Sequence, residues 1–89
     1  MNTQLINNQW QAGQGPAFAS INPSNGETIW QGNGASTEQV NSAIKAARAA
    51  QLQWADTPLE QRITILENFA AQLKEHSEEF AVIIAQETG

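Results

Sequence analysis

The single histidine of the chain, His76, stands among carboxylates at Glu75, Glu78 and Glu79. Imidazole nitrogens and carboxylate oxygens both bind divalent metals, so this run could in principle hold an ion. A metal site needs about three or four converging ligands, and side chains at i−1, i+2 and i+3 around one helical turn converge poorly. A proton shared between Glu75 and Glu79 would require burial, which a polar run does not provide. We therefore interpret the run as a solvated helix junction.

Two glycine pairs have the outline of a phosphate-binding turn. Residues Gly32-Asn33-Gly34 follow a predicted strand and precede a predicted helix, as in dinucleotide-binding folds. The third glycine of that fingerprint would fall at Thr37, where a side chain obstructs close helix packing, and no acidic residue ends a second strand. The pair Gly13 and Gly15 fails in the same way at Phe18. We interpret residues 32–34 as a flexible link between strand and helix.

Arg62 lies in the first turn of a predicted helix, where acidic residues are preferred. A guanidinium at that place indicates a tertiary partner, and we favour an internal salt bridge over a ligand contact. The three tryptophans, Trp10, Trp30 and Trp54, are interpreted as anchors between packed layers, two of them where hairpin strands lie on a helix. No residue of the chain is predicted to be catalytic, cofactor-binding or metal-binding.

The elements that carry these residues divide near Gly34. Residues 1–34 are predicted as hairpin strands and turns, with Asn7-Asn8 able to adopt the left-handed backbone of a tight turn. A second turn is predicted over residues 22–26, where Pro23 fixes its own φ and Gly26 can take a positive φ. Both signals predict short antiparallel strand pairs.

Residues 35–56 are predicted as helix one, opened by a capping box of Ser36 and Gln39. Residues 57–89 are predicted as helix two, with Thr57 as its cap and Glu60 completing a second box. The run at 76–77 predicts a kink or a third helix capped by Ser77. The predicted fold class is therefore α+β, with apolar stripes on the helices packed against the hairpins.

Composition excludes several function classes. The 89 residues carry nine acids and four bases, a net charge of −5, which disfavours nucleic acid and anionic membrane surfaces. No cysteine is present, so neither disulfides nor a thiolate nucleophile of this chain is available. The amino end has no secretory pattern and no apolar run long enough to span a bilayer. A cytoplasmic protein is the expectation.

Several strings are recognisable together in their order and spacing: Ile6-Asn7-Asn8-Gln9-Trp10, residues 22–27, Ala46-Ala47-Arg48-Ala49, Trp54, Pro58, Arg62 and Glu87-Thr88-Gly89. Joined, they resemble the amino-terminal segment of the NAD(P)-dependent aldehyde dehydrogenase superfamily over nearly the whole chain. Residues 15–18 and 30–32 are most similar to members that oxidise a succinylated glutamate semialdehyde in bacterial arginine breakdown, the arginine succinyltransferase pathway. One departure is Asn8, where relatives often have glycine.

The resemblance implies a parent of α/β fold that uses NAD and forms homo-oligomers. It also implies catalysis by a cysteine thiolate, a glutamate that activates water, and an asparagine that holds the oxyanion, none of which matches a residue here. Residues 1–89 would then be a scaffold layer of the cofactor-binding domain, inactive alone. Their partner would be the remainder of the subunit, and exposed apolar surface would favour self-association of the isolated segment.

A competing hypothesis is a free-standing acidic interaction module that presents the helix-two stripe as a groove ligand or dimer face. Such a module should cover its apolar residues internally, whereas a segment of a larger protein should expose Leu52, Ile65 and Val82, which lie off the main stripes. The hypothesis that the chain binds a metal or a nucleotide rests only on His76 and the Gly32 link, and it is the weakest of the three.

Overall fold

Two antiparallel hairpins precede three helices in the computed structural model, which describes all residues 1–89. The predicted α+β class is confirmed. The elements are β1 (Gln4–Ile6), β2 (Gln9–Gln11), β3 (Ala17–Ile21), β4 (Thr28–Asn33), α1 (Thr37–Asp56), α2 (Leu59–Glu75) and α3 (Ser77–Thr88).

The first hairpin is made by a turn of two asparagines. Asn7 and Asn8 have φ values of 51° and 61°, the left-handed backbone that matches the right-handed twist of paired strands. Asparagine tolerates this conformation better than other residues with a side chain. The turn sets Ile6 opposite Gln9 and Leu5 opposite Trp10. The prediction of a hairpin here is confirmed.

The second hairpin is closed by a turn whose side chains satisfy its own backbone. Asn22 Oδ1 accepts from Ser24 N, and Asn25 Oδ1 accepts from Glu27 N, each at 2.9 Å. Gly26 has a φ of 76°, so its predicted positive φ is confirmed. Asn and Gly at these places hold the turn without help from a core.

The glycine-rich segments lie backbone to backbone. Gly15 N donates to Gly34 O at 2.8 Å, and Gly34 N donates to Pro16 O at 2.9 Å. A Cβ on Gly13 would fall well inside 3.0 Å of the Asn33 carbonyl oxygen, so only glycine fits there. Gly32 pairs with Phe18 inside the β3–β4 ladder. The prediction of a flexible link at residues 32–34 is therefore wrong, because these residues are held by backbone hydrogen bonds.

Helix α1 begins as its capping box predicts. Ser36 Oγ accepts from Gln39 N at 3.1 Å, and Gln39 Oε1 accepts from Ser36 N at 3.0 Å. The side chain of each residue thus satisfies a backbone donor of the other. The helix continues to Asp56.

The predicted caps of the later helices are wrong. Thr57 Oγ1 donates to Gln53 O at 2.9 Å, so this hydroxyl serves the end of α1 and does not cap α2. Pro58 stands at the N-cap of α2 without a side-chain hydrogen bond. Ser77 is the first residue of α3, and His76 takes the cap position between α2 and α3. The break predicted at 76–77 is thus a true start of a third helix.

These elements enclose no hydrophobic core. Gln39 is the single buried residue of the chain, and no apolar side chain is buried. The radius of gyration is 16.9 Å, against about 12 Å for a compact domain of this length. The predicted packing of hairpins on helices is present where β1 contacts α1 and β3 contacts α3, but it buries no apolar side chain. Trp10 is 61% exposed and does not anchor two layers.

Exposed large apolar residues occur on every element except β4, and those of the helices are Val40, Ile44, Leu52, Trp54, Leu59, Ile63, Ile65, Leu66, Phe69, Leu73, Phe80, Val82, Ile83 and Ile84. The predicted exposure of Leu52, Ile65 and Val82 is confirmed, but the residues of the main stripes are exposed as well. No helix of the structure is both long and apolar enough to cross a lipid bilayer.

Candidate functional site

His76 lies in an exposed pair at the α2–α3 junction. Its Nδ1 is 3.2 Å from Glu79 Oε1, and the two side chains are 47% and 73% exposed. No group of three or more His, Cys, Asp and Glu side chains lies together in a way that could hold a metal ion. The pair therefore serves as a local contact across one turn of α3, worth little in high dielectric.

Two glycine N–H groups in these segments are already paired with backbone carbonyls. A phosphate-binding turn offers unpaired backbone N–H groups to the ligand. Here the N–H groups of Gly15 and Gly34 already donate to carbonyl oxygens of the facing segment. At Gly13 the backbone lies close to the carbonyl oxygens of Asn33 and Gly34. These glycines serve backbone packing between the loop at 12–16 and the segment at 33–35.

Arg62 contacts the turn between α1 and α2. Its Nε donates to Thr57 O at 3.1 Å, while Thr57 Oγ1 donates to Gln53 O. No carboxylate lies within ion-pair distance of the guanidinium, so the predicted salt bridge is wrong. A hydrogen bond to a carbonyl that the helix end leaves unpaired takes its place. The three residues fix the angle at which α2 leaves α1.

Gln39 joins helix α1 to the first hairpin, a role that the sequence analysis did not predict. Its Oε1 accepts from Gln14 N at 2.9 Å, and its Nε2 donates to Ala12 O at 2.8 Å and to Gln11 Oε1 at 3.1 Å. Oε1 also accepts from Ser36 N, so both acceptor positions and both donor hydrogens of the amide are used. The capping box revealed the local half of this network, whereas the contacts 25 to 28 positions away have no local sequence signal.

A second long-range contact joins α3 to the second hairpin. Ser20 Oγ on β3 donates to Glu87 Oε1 near the end of α3 at 2.9 Å. On β4, Trp30 lies half-buried with its ring centroid 5.0 Å from that of Phe18. The two strands of the hairpin thus share an aromatic contact, and β3 contacts α3 through a polar hydrogen bond.

Between α1 and α2 lies an open cleft of about 620 Å³. Its lining contains no charged residue and consists of Ala47, Ala50, Gln51, Gln53, Trp54, Thr57 and Ile65. We call it the α1–α2 cleft. Apolar lining with a few amides suits the docking of another apolar surface better than chemistry on a substrate.

Together these contacts define an open scaffold. Polar hydrogen bonds fix the angles between its elements, and its apolar faces are left uncovered. Contiguous exposed apolar surface marks a place where other protein packs. By class, the structure is an open α+β arrangement of two hairpins and three helices whose apolar faces are available to other protein.

The chain belongs to the aldehyde dehydrogenase family, whose sequence profile matches residues 10–89. It is 51% identical over all 89 residues to N-succinylglutamate 5-semialdehyde dehydrogenase of Pseudomonas fluorescens (strain Pf0-1). The chain spans 18% of the length of that relative. The family predicted from the sequence is confirmed.

A solved structure shows the same open arrangement. The NAD-dependent benzaldehyde dehydrogenase of Corynebacterium glutamicum matches 96% of the chain with a TM-score of 0.89 at 36% identity. The match occupies 19% of that enzyme's chain. Hairpins and helices without a core of their own therefore also occur as a small share of that enzyme's chain.

Proposed function

We propose that residues 1–89 are the amino-terminal scaffold of the cofactor-binding domain of an NAD-dependent N-succinylglutamate 5-semialdehyde dehydrogenase. The whole enzyme would oxidise the aldehyde to N-succinylglutamate in arginine breakdown, as a cytoplasmic homo-oligomer. The 51% identity to the Pseudomonas fluorescens enzyme supports the substrate. The cofactor is supported by the NAD-dependent benzaldehyde dehydrogenase that shares the fold.

The observation that carries the scaffold role is the absence of any buried apolar side chain among residues with long apolar stripes. Burying a Leu, Ile, Phe or Val side chain is worth about 1.5–3 kcal/mol, and here none of that stabilisation is realised internally. The remainder of the subunit would supply the cover. The isolated segment would be inactive and prone to self-association.

The segment would contribute no catalytic group. It contains no cysteine, so a thiolate nucleophile has to come from elsewhere in the subunit. NAD would be bound elsewhere in the subunit, a proposal supported by the N–H groups of Gly15 and Gly34, which already donate to carbonyl oxygens. In this proposal the segment acts on catalysis only by holding the cofactor-binding domain in shape.

A chimera tests the scaffold role. In the Pseudomonas fluorescens enzyme, the matching segment is replaced by these 89 residues, and NADH formation from N-succinylglutamate 5-semialdehyde is measured. We expect a folded chimera whose kcat lies within several-fold of the parent, whereas deletion of the segment should leave insoluble or inactive protein. A soluble, active deletion variant would contradict the scaffold role.

Two substitutions test the absence of catalytic groups. His76→Gln and Arg62→Lys in the chimera should leave kcat and the KM for NAD unchanged at a temperature where the protein is folded. A large loss of kcat in a variant with normal thermal stability would show that the segment takes part in the chemistry.

The substrate is tested on the full product of the gene that encodes these residues. We expect NAD-linked oxidation of N-succinylglutamate 5-semialdehyde with a kcat/KM well above that for benzaldehyde. A higher kcat/KM for benzaldehyde would contradict the proposed substrate but would leave the proposed scaffold role in place. A product of only 89 residues that folds as a single species would instead favour the interaction module.

A further inference from the structure

Two asparagines of the chain are followed directly by glycine, in Asn25-Gly26 and Asn33-Gly34. Asparagine is chemically labile in this context, because the backbone nitrogen of the next residue can attack the side-chain amide carbon and glycine has no side chain to obstruct the approach. The backbone has to rotate before nitrogen and carbon can meet, so the surrounding structure decides whether the reaction proceeds. The two pairs share the same local chemistry but lie in different structures.

The first pair lies in the exposed turn between β3 and β4. A Cβ on Gly26 would meet no atom within 4 Å, so the space around this residue is open. Asn25 Oδ1 accepts from Glu27 N at 2.9 Å. A donor at this oxygen polarises the amide and lies where negative charge develops when the amide carbon is attacked. One backbone hydrogen bond, from Gly26 N to Asn22 O at 2.8 Å, has to open before Gly26 N can react.

The second pair is held by the facing segment. Asn33 is the last residue of β4 and pairs with Ala17. Its Nδ2 donates to Gly15 O at 2.9 Å, and Gly34 N donates to Pro16 O at 2.9 Å. The nitrogen that would attack and the nitrogen that would leave are therefore both hydrogen-bonded. Rotation of the backbone would also break the end of the strand pairing, and paired strands open less readily than exposed turns.

We propose that Asn25 is a site of spontaneous covalent modification, at which the side-chain amide is converted through a cyclic imide into aspartate and isoaspartate. The pairing of residues 33–34 with residues 15–17 protects Asn33 from the same reaction. The difference between the two sites arises from the fold and not from the sequence around each asparagine.

The reaction is balanced with water as the only co-reactant. Gly26 N forms a bond to Asn25 Cγ, the Cγ–Nδ2 bond breaks, and the proton of the Gly26 N–H leaves with Nδ2 as ammonia. Water then opens the imide at one of its two carbonyl carbons. Attack at Cγ gives aspartate with the original backbone, whereas attack at the main-chain carbonyl carbon gives isoaspartate, whose backbone runs through the side chain. Either product adds a carboxylate to the turn.

The test uses the full product of the gene that encodes these residues. One sample is kept folded in mildly alkaline buffer, and a second is unfolded in guanidinium chloride in the same buffer. Digestion at acid pH after Glu27 and Glu38 places Asn25 and Asn33 in separate peptides, whose fragmentation in the mass spectrometer locates the conversion of amide to acid.

In the folded protein, Asn25 should convert at least about tenfold faster than Asn33, because more hydrogen bonds have to open at Asn33. In guanidinium chloride the two rates should become similar. Asn25→Gln should abolish the fast conversion and leave the rate at Asn33 unchanged, since the longer side chain does not form the five-membered imide readily.

Equal rates at the two asparagines of the folded protein, or faster conversion at Asn33, would overturn the proposal. A ratio that stays the same in guanidinium chloride would also overturn it, because the fold would then not be its cause. So would a folded protein in which Asn25 does not convert while the unfolded sample does. The measurement reads masses and not turnover, so it is decided independently of the proposed function.

Discussion

The hydroxyl of Ser20 donates to a carboxylate oxygen of Glu87 at 2.9 Å, although the two residues lie 67 positions apart. Next to this contact, the end of the chain packs on the β3–β4 turn: a Cβ on Gly89 would lie 3.1 Å from Pro23 Cγ and 3.3 Å from Ser24 Oγ. Gly89 also has a φ of 81°, which favours glycine. The second hairpin thus fixes the end of α3.

A double-mutant cycle on this pair should show coupling. In the chimera, Ser20→Ala and Glu87→Ala are each expected to reduce the free energy of unfolding, with a coupling energy of about 0.5–1.5 kcal/mol for an exposed charge-assisted hydrogen bond. Urea unfolding of the two single variants and the double variant measures it. Additive effects would mean that the contact does not stabilise the enzyme. Ser24→Ala, which removes a hydroxyl from the nearby turn, is the control.

The asparagine turn predicts opposite effects of two substitutions at Asn8, whose φ is 61°. Asn8→Gly should stabilise the chimera by about 0.5 kcal/mol, because glycine takes this conformation without strain. Asn8→Val should destabilise it by about 1–2 kcal/mol, since a β-branched residue is strained at positive φ. Gln9→Val, one position later and in a strand, should be nearly neutral. Urea midpoints that do not separate Asn8→Val from Gln9→Val would refute this account.

Two glycines in facing segments predict different tolerance to alanine. A Cβ on Gly13 would collide with the Asn33 and Gly34 carbonyl oxygens, whereas a Cβ on Gly34 would meet nothing nearer than Pro16 O at 3.7 Å. Gly13→Ala should therefore destabilise the chimera by about 2 kcal/mol or more. Gly34→Ala should be neutral or stabilising by up to about 1 kcal/mol, because it restricts the unfolded chain. Thermal unfolding of both variants, side by side, gives the comparison.

The local features of this chain could be predicted because their causes lie within a few residues. The asparagine turn, the turn at 22–26 and the Ser36 capping box each depend on side chains that act on neighbouring backbone. The family was likewise predicted from strings spread along the chain and is confirmed. Local chemistry thus determines most element boundaries.

The sequence-based predictions that proved wrong share one physical cause. The stripes of α1 and α2 predict burial, but periodicity does not say whether the covering surface belongs to the same 89 residues. The Thr57 hydroxyl could donate to the end of α1 or accept from the backbone N–H groups that begin α2. In the structure it donates to Gln53 O at the end of α1. Arg62 likewise finds a carbonyl where a carboxylate was expected. Each outcome depends on tertiary placement and not on spacing.

Gln39 gives the most demanding prediction, because it is the one buried residue, at 5% exposure, and its amide makes four hydrogen bonds. Gln39→Ala would remove four part-buried hydrogen bonds, including those to the Gln14 N–H and the Ala12 carbonyl, and each typically contributes about 0.5–1.5 kcal/mol. We expect a loss of about 2–4 kcal/mol in the chimera by urea unfolding. Asn41→Ala, an exposed amide on the same helix, should change the stability by less than about 0.5 kcal/mol.

Gln39→Glu keeps an acceptor for Gln14 N and Ser36 N but loses the donor to Ala12 O, so it should be destabilised at neutral pH despite its similar shape. If all three variants unfold at the same urea concentration, the amide does not join α1 to the first hairpin in the enzyme, and the contact that orients the scaffold has to lie elsewhere.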